Sequence, residues 1–443
     1  MVENLRSRIE GKELKVFSIL SAILLYVAAF VSGTLAEIGQ GMVRIVLSRD
    51  ALITDYFELA GYGAGFLNAA LILTIAIGLV AVLKIPFTGL TMAALFIDAG
   101  YGLWGKNPVN ILPVLFGTWL YAKMHRSHMS RYIYTALFGT CLSPFVTEMV
   151  YLLPFHWGVN LVCAVLLGVF VGFVLPPLSM HTASMHMGYN LFNVGFSGGI
   201  LAFVVVCVLK SFGLESEPVF IWKAGAPVAL VVGMYLYFLL AIAMGLVSCK
   251  GDLKQYRKIL HHPGRAVADF AIMNGDGATL INMGTMGMAA LTYVVVVGGD
   301  LAGPVIGAIL TVVGFSAFGA HLKNYLPVLL GVFLSTYLTQ YLPSTPGILL
   351  AAMFAVGLAP IAGQFGMVAG IFAGILHSAI VMCTSSMYGG LNLYNNGFSA
   401  GWVAIIMIPV LESFMKHFED RKHRKNSRET AKQSARGNQG RSK

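Results

Sequence analysis

Stretches of about twenty apolar residues, the length that a helix needs to cross the hydrocarbon core of a bilayer, recur along this chain. They begin at Val16 and end near Met415. Hydrophobic residues make up 57% of the chain and charged residues 11%, which is too much apolar surface for a water-soluble domain to bury. The pattern therefore predicts an all-α integral membrane protein that crosses the bilayer many times.

The formal net charge of +10 is concentrated at the carboxyl end. The segment 416–443 holds ten Lys or Arg residues against three Asp or Glu residues. We interpret residues 415–443 as a disordered basic tail in the cytoplasm, next to anionic lipid headgroups. Residues 1–15 form a cytoplasmic amino terminus. This distribution favours the lipid bilayer as the partner and argues against nucleic acid.

A twelve-residue motif rich in glycine and asparagine occurs twice. Residues 188–199 read GYNLFNVGFSGG, and residues 390–401 read GLNLYNNGFSAG, with eight identical positions. We call these two copies the doubled motif. Polar, helix-breaking sequence between apolar spans is tolerated in a bilayer only where it is buried in protein or lines a wet cavity. The doubled motif is therefore the first candidate for a functional site.

The duplication extends well beyond this motif. Asp55 returns as Asp269, 214 positions later, and the same spacing continues without a gap as far as position 117. A register kept over that length indicates two homologous membrane repeats. We call residues 16–212 the first half and residues 223–414 the second half, joined by a linker at 213–222.

The positive charges predict how the two halves are oriented, because positive loops stay in the cytoplasm. Residues 123–131 and 250–265 are basic, like both termini. Seven spans per half place all four basic segments inside, and an odd number makes the second half enter from the opposite side. This is the inverted-topology repeat of many transporters, here with about 12–14 transmembrane helices. The first-half spans are predicted near 16–34, 64–83, 87–103, 109–123, 132–152, 158–177 and 198–212.

In this topology each copy of the doubled motif lies between the sixth and seventh spans of its half. A segment that begins and ends on one side of the membrane is a re-entrant hairpin. Two such hairpins entering from opposite sides would meet near the midplane and present N–H and C=O dipoles to a shared site.

Amide and hydroxyl side chains in and just before the doubled motif are the candidate solute site, because each can donate and accept hydrogen bonds. The alternative is that they cap the broken helices and bond only to the backbone. The candidate substrate-binding residues are Asn190, Asn193, Ser197, Asn392, Asn395, Ser399, Thr182, Thr384, Ser184 and Ser386.

A second set of polar residues could bind a coupling ion, H⁺ or Na⁺. Asp55 and Asp269 occur once per half, together with Asn68 and Asn282, and the alternative for the two acids is an N-cap of the following helix. Glu148 lies within an apolar span and has no acidic counterpart in the second half, which suits a proton-coupling carboxylate. Its alternative is a position near the membrane interface.

Other chemistry is less favoured by the sequence. Residues 180–187 contain three methionines and two histidines, which could ligate copper(I), but such residues more often pack around a turn. The chain has no G-x-S-x-G, H-E-x-x-H or C-x-x-C pattern. We therefore predict no enzyme activity, no catalytic residues, no metal and no cofactor.

Several stretches resemble a family of bacterial polytopic membrane proteins carried as a domain of unknown function. They are TDYFELAGYGA from Thr54, GKNP from Gly105, LPV from Leu112, and the doubled motif. The resemblance covers nearly all of the chain except the tail. It implies a multi-pass protein of the bacterial cytoplasmic membrane and implies nothing about the substrate.

Together these observations predict a secondary, alternating-access transporter for a small polar solute bound where the two repeats meet. Two alternatives remain open: a channel for a small neutral solute, built like urea channels, and a membrane-embedded enzyme acting on a lipid-linked substrate. The predicted orientation has both termini in the cytoplasm. The sequence leaves the oligomeric state open, with a homo-oligomer as one option.

Overall fold

The structure is a computed structural model that describes residues 11–50, 53–217 and 219–439. Almost all of its regular structure is helical. The helices of the first half are α1 (Lys12–Val31), α2 (Leu35–Leu47), α3 (Tyr56–Ala60), α4 (Tyr62–Val82), α5 (Gly89–Tyr101), α6 (Leu112–Met124), α7 (Ile133–Gly139), α8 (Pro144–Leu152), α9 (Trp157–Met185) and α10 (Asn193–Ser211).

The second half follows the same order, and most of its helices are similar in length to their counterparts. It contains α11 (Val228–Ser248), α12 (Lys254–Ile259), α13 (Phe270–Asn274), α14 (Asp276–Val296), α15 (Gly303–Phe315), α16 (Leu322–Ser335), α17 (Pro346–Phe354), α18 (Ala359–Phe365), α19 (Met367–Thr384) and α20 (Asn395–Gln439). Short 3₁₀ turns occupy Met129–Arg131, Thr140–Leu142, Ala355–Leu358 and Ser385–Tyr388. Two short strands, β1 (Ile53–Thr54) and β2 (Phe220–Ile221), pair in parallel.

Ten of the described helical segments are long and apolar enough to cross a membrane, five in each half. They are Lys12–Val31, Tyr62–Val82, Ile133–Leu152, Trp157–Met185, Asn193–Ser211, Val228–Ser248, Asp276–Val296, Pro346–Phe365, Met367–Tyr388 and Asn395–His417. The protein is therefore an all-α, multi-pass membrane protein.

The predicted count of 12–14 spans is corrected to ten candidates. The segments predicted near 87–103 and 109–123 are α5 and α6, of 13 residues each. A 13-residue helix rises by about 20 Å, which is shorter than a hydrocarbon core of about 30 Å. Sequence hydropathy counted each as a full span because both are apolar and the connection between them, 102–111, adds further apolar residues such as Leu103, Trp104 and Ile111.

Two of the ten candidates are broken in the middle. A 3₁₀ turn at Thr140–Leu142 separates α7 from α8, and Pro144 follows it in the first turn of α8. The turn at Ala355–Leu358 separates α17 from α18 in the same way, with Pro360 in the first turn of α18. Proline lacks the N–H that would continue the helix ladder, so each break sits beside a proline.

The centre of the molecule is the contact between α5 and α15, one helix from each half. A methyl group added at Gly100 would lie 2.4 Å from the carbonyl oxygen of Gly307, and one at Gly314 would lie 3.1 Å from the Cα atom of Ala93. Small residues let the two backbones approach this closely, as in other membrane helix pairs. The core of the protein therefore runs through the boundary between the halves.

Helix α20 continues to Gln439. The sequence predicts a disordered tail from residue 415, and the structure extends the last helix through this segment, which is rich in Lys and Arg. These residues are good helix formers. Residues 1–10, part of the predicted cytoplasmic amino terminus, and the last four residues of the tail lie outside the described residues.

Candidate functional site

Each copy of the doubled motif joins two long helices of its own half. The Asn193 side chain accepts a hydrogen bond from Thr182 Oγ1 (3.0 Å) and donates one to the carbonyl of Ser179 (2.8 Å). Asn395 repeats both bonds, with Thr384 Oγ1 (2.6 Å) and the carbonyl of Val381 (3.2 Å). These two asparagines therefore tie the end of α9 to the start of α10, and the end of α19 to the start of α20.

The residues before these asparagines reach into the opposite half. The N–H of Leu191 donates to the carbonyl of Gly357 (2.9 Å), and the N–H of Leu393 donates to the carbonyl of Cys141 (3.3 Å). Gly357 lies in the break between α17 and α18, and Cys141 lies in the break between α7 and α8. Each motif copy thus satisfies a carbonyl that the broken helix of the other half exposes.

The first two turns of α10 and α20 meet at glycines. A methyl group at Gly195 would lie 3.3 Å from the Cα atom of Gly397, and one at Gly199 would lie 2.5 Å from the side chain of Phe398. Gly401 stands in the same relation to Phe196. The positive ends of two helix dipoles therefore converge at the boundary between the halves.

A cavity of about 480 Å³, which we call the first cavity, opens beside the first motif copy. Asn190 and Asn193 line it, as do Val194 and Gly195 from the first turn of α10. Arg265, from the loop before α13, also lines it, with its guanidinium 4.7 Å from the ring of Tyr189.

A second cavity of about 290 Å³ opens beside the second motif copy. Asn392, Asn395 and Asn396 line it, together with Trp104 and Tyr388. The two cavities are thus bordered by matching parts of the doubled motif.

The broken helices show where the cavities lie relative to each other. Pro346, at the start of α17, lines the second cavity, whereas Phe365, at the end of α18, packs on Tyr189 beside the first cavity. Tyr134, in the first turn of α7, lines the first cavity. The two cavities therefore lie toward opposite ends of the segment Pro346–Phe365.

A chain of buried aromatic rings, which we call the aromatic layer, fills the space between the cavities. Ring centroids in contact are 4.7–6.2 Å apart. Its members come from both halves and are Tyr101, Phe138, Phe192, Phe315, Phe354 and Tyr394. Packed aromatic rings exclude water from the space that they occupy, so these rings separate the two cavities.

A buried ion pair lies against the aromatic layer. Lys106 Nζ is 2.5 Å from Asp98 Oδ1, and the Lys106 side chain is fully buried. The ammonium group stands 5.2 Å from the ring centroid of Tyr101 and 5.7 Å from that of Tyr394. Sequence reasoning missed Lys106; the signal was a single lysine in the connection 102–111 between two apolar helices, eight positions after an aspartate.

The remaining solute-site candidates are placed less centrally. The hydroxyls of Ser197 and Ser399 bond to the backbone of their own helices. Ser184 is exposed and lines the first cavity, and Ser386 is exposed and bonds to the carbonyl of Cys383. Solute binding by the ten candidate residues stays a prediction, and the structure brings five of them to the cavities: Ser184, Asn190, Asn193, Asn392 and Asn395.

Asp55 and Asp269 each cap a short helix and also hold a helix of the other half. Asp55 accepts from the backbone N–H of Phe57 (2.9 Å) and of Gly303 (3.1 Å), at the start of α15. Asp269 accepts from the N–H of Ile272 (3.1 Å) and of Gly89 (2.9 Å), at the start of α5. Burial raises the pKa of Asp55 to about 6. Their capping role is visible, and coupling-ion binding by these acids stays a prediction.

Asn68 and Asn282 hold the turns that follow α5 and α15. Asn68 Nδ2 donates to the carbonyls of Gly102 (2.6 Å) and Lys106 (2.7 Å). Asn282 Nδ2 donates in the same way to Ser316 (2.7 Å) and Ala320 (2.8 Å). Both amides are fully buried and so position these turns.

Glu148 is buried and paired. Its carboxylate accepts from Arg49 Nε (3.0 Å), from the Arg49 guanidinium a second time, and from Ser216 Oγ (2.8 Å). The half-exposed Arg49 therefore neutralises Glu148, and proton coupling by Glu148 stays a prediction.

A buried carboxylate next to this pair was not singled out from the sequence. Asp50 Oδ1 accepts from Tyr56 Oη (2.9 Å) and Ser48 Oγ (3.3 Å), and Oδ2 accepts from Thr147 Oγ1 (3.1 Å) and Asn110 Nδ2 (3.2 Å). Burial raises the pKa of Asp50 to about 7 despite these four donors.

This raised pKa predicts how stability depends on pH. Folding favours the protonated form of Asp50, so its contribution is present below the unfolded pKa of about 4 and is lost as the pH rises through about 7. We expect the melting temperature in detergent to fall between pH 5 and pH 8, and Asp50→Asn to reduce that fall. Equal or rising stability with pH in both proteins would contradict this prediction.

The fold and the site define a class of protein: a polytopic membrane protein whose two halves bury a doubled polar motif between them. The model of the family described as "Protein of unknown function (DUF1576)" matches residues 34–211 and 248–413, and the chain belongs to that family. The resemblance to a membrane-protein family of unknown function, inferred from the motifs, is thereby confirmed. No curated protein and no solved structure matches the chain.

Proposed function

We propose that this protein is a secondary transporter that carries a small polar solute across the bacterial cytoplasmic membrane by alternating access. The observation that carries the proposal is the pair of cavities, each bordered by one copy of the doubled motif and lying toward opposite ends of the same broken helix. A carrier needs a site that can be reached from either side, and the boundary between two related halves is where such sites occur.

Matched contacts support an inverted relation between the halves. Asp55 binds the start of α15, and Asp269 binds the start of α5, so each contact has its reciprocal in the other half. Reciprocal contacts of this kind are expected around a two-fold axis. Each half has five candidate spans, an odd number, so such an axis would lie in the membrane plane.

The same count supports the proposed orientation. With both termini inside, five spans per half return the basic loops 123–131 and 250–265 to the cytoplasm. This holds when α5 with α6, and α15 with α16, are re-entrant helical hairpins that enter from opposite sides. The non-helical residues of the doubled motif then lead directly into α10 and α20. In this proposal they replace the re-entrant hairpins that the sequence predicts at the same positions.

The aromatic layer favours a carrier over a channel. A channel needs a continuous path, whereas the two cavities are separated by buried rings contributed by both halves. Exchange of access between the cavities would require the halves to move relative to each other. We propose that this motion repacks the aromatic layer, in the way that other two-state elements repack during switching.

Counterflow in proteoliposomes tests the proposal. Vesicles loaded with an unlabelled solute are diluted into trace labelled solute, across a panel of carboxylates, phosphate, sugars, amines, nucleosides and urea-like solutes. A carrier accumulates the label transiently against its gradient, and a channel only equilibrates it. Failure of every panel member to enter, or equilibration without counterflow, would overturn the proposed function.

We expect the double variant Asn190→Ala/Asn392→Ala to lose at least about 90% of this flux. Each asparagine holds the motif, because its Oδ1 accepts from a backbone N–H two residues on, at 2.9 Å for Asn190 and 3.1 Å for Asn392. Asn274→Ala is the matched control, since among the described residues the Asn274 side chain contacts only Gln255, at 3.4 Å, and Asn274 lines neither cavity. Size-exclusion profiles confirm that both variants are folded. Full flux in the double variant would show that the doubled motif does not take part in solute binding.

A further inference from the structure

Two residues at the second cavity carry hydrogen-bond donors that have no acceptor in the described part of the protein. Asn392 and Trp104 line it, and neither Asn392 Nδ2 nor Trp104 Nε1 has a hydrogen-bond partner among the described residues. Both residues are more than nine-tenths buried, with exposed fractions of 4% and 3%. Leaving a buried donor without a hydrogen bond destabilises the protein by about 1–3 kcal/mol. Such a donor on a residue that lines a cavity therefore indicates that a ligand in the cavity supplies the acceptor.

The start of α20 adds further donors. Asn395 and Asn396, its first two residues, line the same cavity. The first N–H groups of a helix have no partner within the helix, and the dipole makes this end positive. Together these features make a helix start a binding site for negatively charged oxygens.

The acceptors of these asparagines are largely in use. Asn392 Oδ1 accepts from the N–H of Tyr394 (3.1 Å), and Asn395 Oδ1 accepts from Thr384 Oγ1 (2.6 Å). Tyr388 Oη, which can donate or accept, and Asn396 Oδ1 are the other unpartnered polar atoms on residues of this wall among the described residues, and they suit a hydroxyl group on the same ligand. The wall is therefore set for a ligand that mainly accepts hydrogen bonds.

The charges at the two cavities also favour a ligand that accepts hydrogen bonds. Among the described residues that line either cavity, no Asp or Glu occurs, and Arg265 is the charged one. The first turn of α10 faces the first cavity as α20 faces the second. A cation would meet two positive helix ends and an arginine without a carboxylate to neutralise it.

We propose that the transported solute is a small oxyanion, bearing a carboxylate or phosphate group. Asn392 Nδ2, Trp104 Nε1 and the first N–H groups of α20 bind that group in the second cavity. This inference rests on the proposed transport function and names its substrate class. A cavity of about 290 Å³ suits a small metabolite rather than a lipid.

Calorimetric titration of the full-length protein in detergent tests the charge requirement. The probes are acetate, lactate, succinate and inorganic phosphate, with acetamide, lactamide, succinamide and ethylammonium as uncharged and cationic counterparts. We expect at least one anion to bind about 30-fold or more tightly than its amide, as the loss of charge-assisted hydrogen bonds implies. Comparing the affinity for phosphate with the affinities for the carboxylates shows which oxyanion the protein prefers.

Two variants locate the site. Asn392→Asp keeps the Oδ1 acceptor for Tyr394, so the motif can fold, but it replaces the free donor with a negative charge. We expect it to weaken anion binding about 100-fold or more, and Trp104→Phe to weaken it about 3- to 10-fold. Asn274→Asp, the same substitution away from both cavities, is expected to leave the affinity unchanged.

The outcomes separate the two proposals when uptake by proteoliposomes is measured with the same probes. Uptake of an amide or of ethylammonium, without uptake of any anion, overturns the oxyanion inference and leaves a transporter. Anion uptake that Asn392→Asp does not change overturns the second cavity as the site. If none of these probes is bound or taken up, the oxyanion inference is overturned. If the counterflow panel is negative as well, the transport function is overturned too.

Discussion

Lys106→Met is expected to destabilise the folded protein by about 3–5 kcal/mol, the usual cost of leaving one partner of a buried ion pair without its counter-charge. Asp98 has an exposed fraction of 3%, and besides Lys106 its Oδ1 has, among the described residues, only Thr140 Oγ1, at a long 3.4 Å. The lysine also stands close to the rings of Tyr101 and Tyr394, so the variant loses a cation–π contact at the aromatic layer.

The double variant Lys106→Met/Asp98→Asn should regain most of that loss. It removes both charges, and the amide that replaces the carboxylate keeps an oxygen that can accept from Thr140 Oγ1. The free energy of unfolding would be measured by chemical denaturation in detergent micelles for the wild type, both single variants and the double variant. The double-mutant cycle of these four proteins then gives the interaction free energy between Lys106 and Asp98.

Lys223→Met is the matched control, because Lys223 pairs with Glu58 at 2.9 Å but the two side chains are 35% and 45% exposed. An exposed pair contributes about 0–1 kcal/mol. Equal losses for Lys106→Met and Lys223→Met would show that the Asp98–Lys106 pair is not buried in the folded protein, and would contradict the structure at its centre.

Gly100→Ala is expected to cost about 2–3 kcal/mol through overpacking at the contact between α5 and α15. The added methyl group would lie 2.4 Å from the carbonyl oxygen of Gly307 and 2.9 Å from its Cα atom. Both are backbone atoms, so no side chain can turn away, and the two helices must separate. The same shift would disturb the aromatic layer, which Tyr101 joins directly after Gly100.

Gly78→Ala provides the control on α4. Gly78 is also inside a helix, but a methyl group there would meet nothing within 4 Å. Alanine favours a helix over glycine by about 1 kcal/mol, so this variant should be neutral or slightly stabilised. Thermal unfolding of both variants in the same detergent makes the comparison. If Gly100→Ala is as stable as Gly78→Ala, the halves do not meet at α5 and α15.

Much of the symmetry could be predicted from the sequence, because residues that recur at a constant spacing recur with the same contacts. Asn68 and Asn282 each bond to two carbonyls of the following turn, and Asp55 and Asp269 each hold a helix of the other half. Identity of residue type at equivalent positions was a sufficient signal, since each pair does the same local work.

The asymmetric features could not be predicted in this way. Lys106 and Asp98 have no charged counterparts at the positions 214 residues later, which hold Ala320 and Val312. Their pairing depends on how the turn after α5 folds back. Asp50 was hidden for the same reason: its four donors come from residues as far apart as Ser48 and Thr147.

The sequence by itself determined the class of protein, its multi-pass membrane character and the recurrence of the same residues at a constant spacing. Apolar length and repeated residues are properties of the linear chain, so they can be read from it. Only the tertiary structure decided that α5 and α6 are too short to span, that the doubled motif enters the broken helices of the opposite half, and which buried donors remain unpaired at the second cavity. These depend on contacts between residues hundreds of positions apart, whose distances and hydrogen bonds the linear order does not specify.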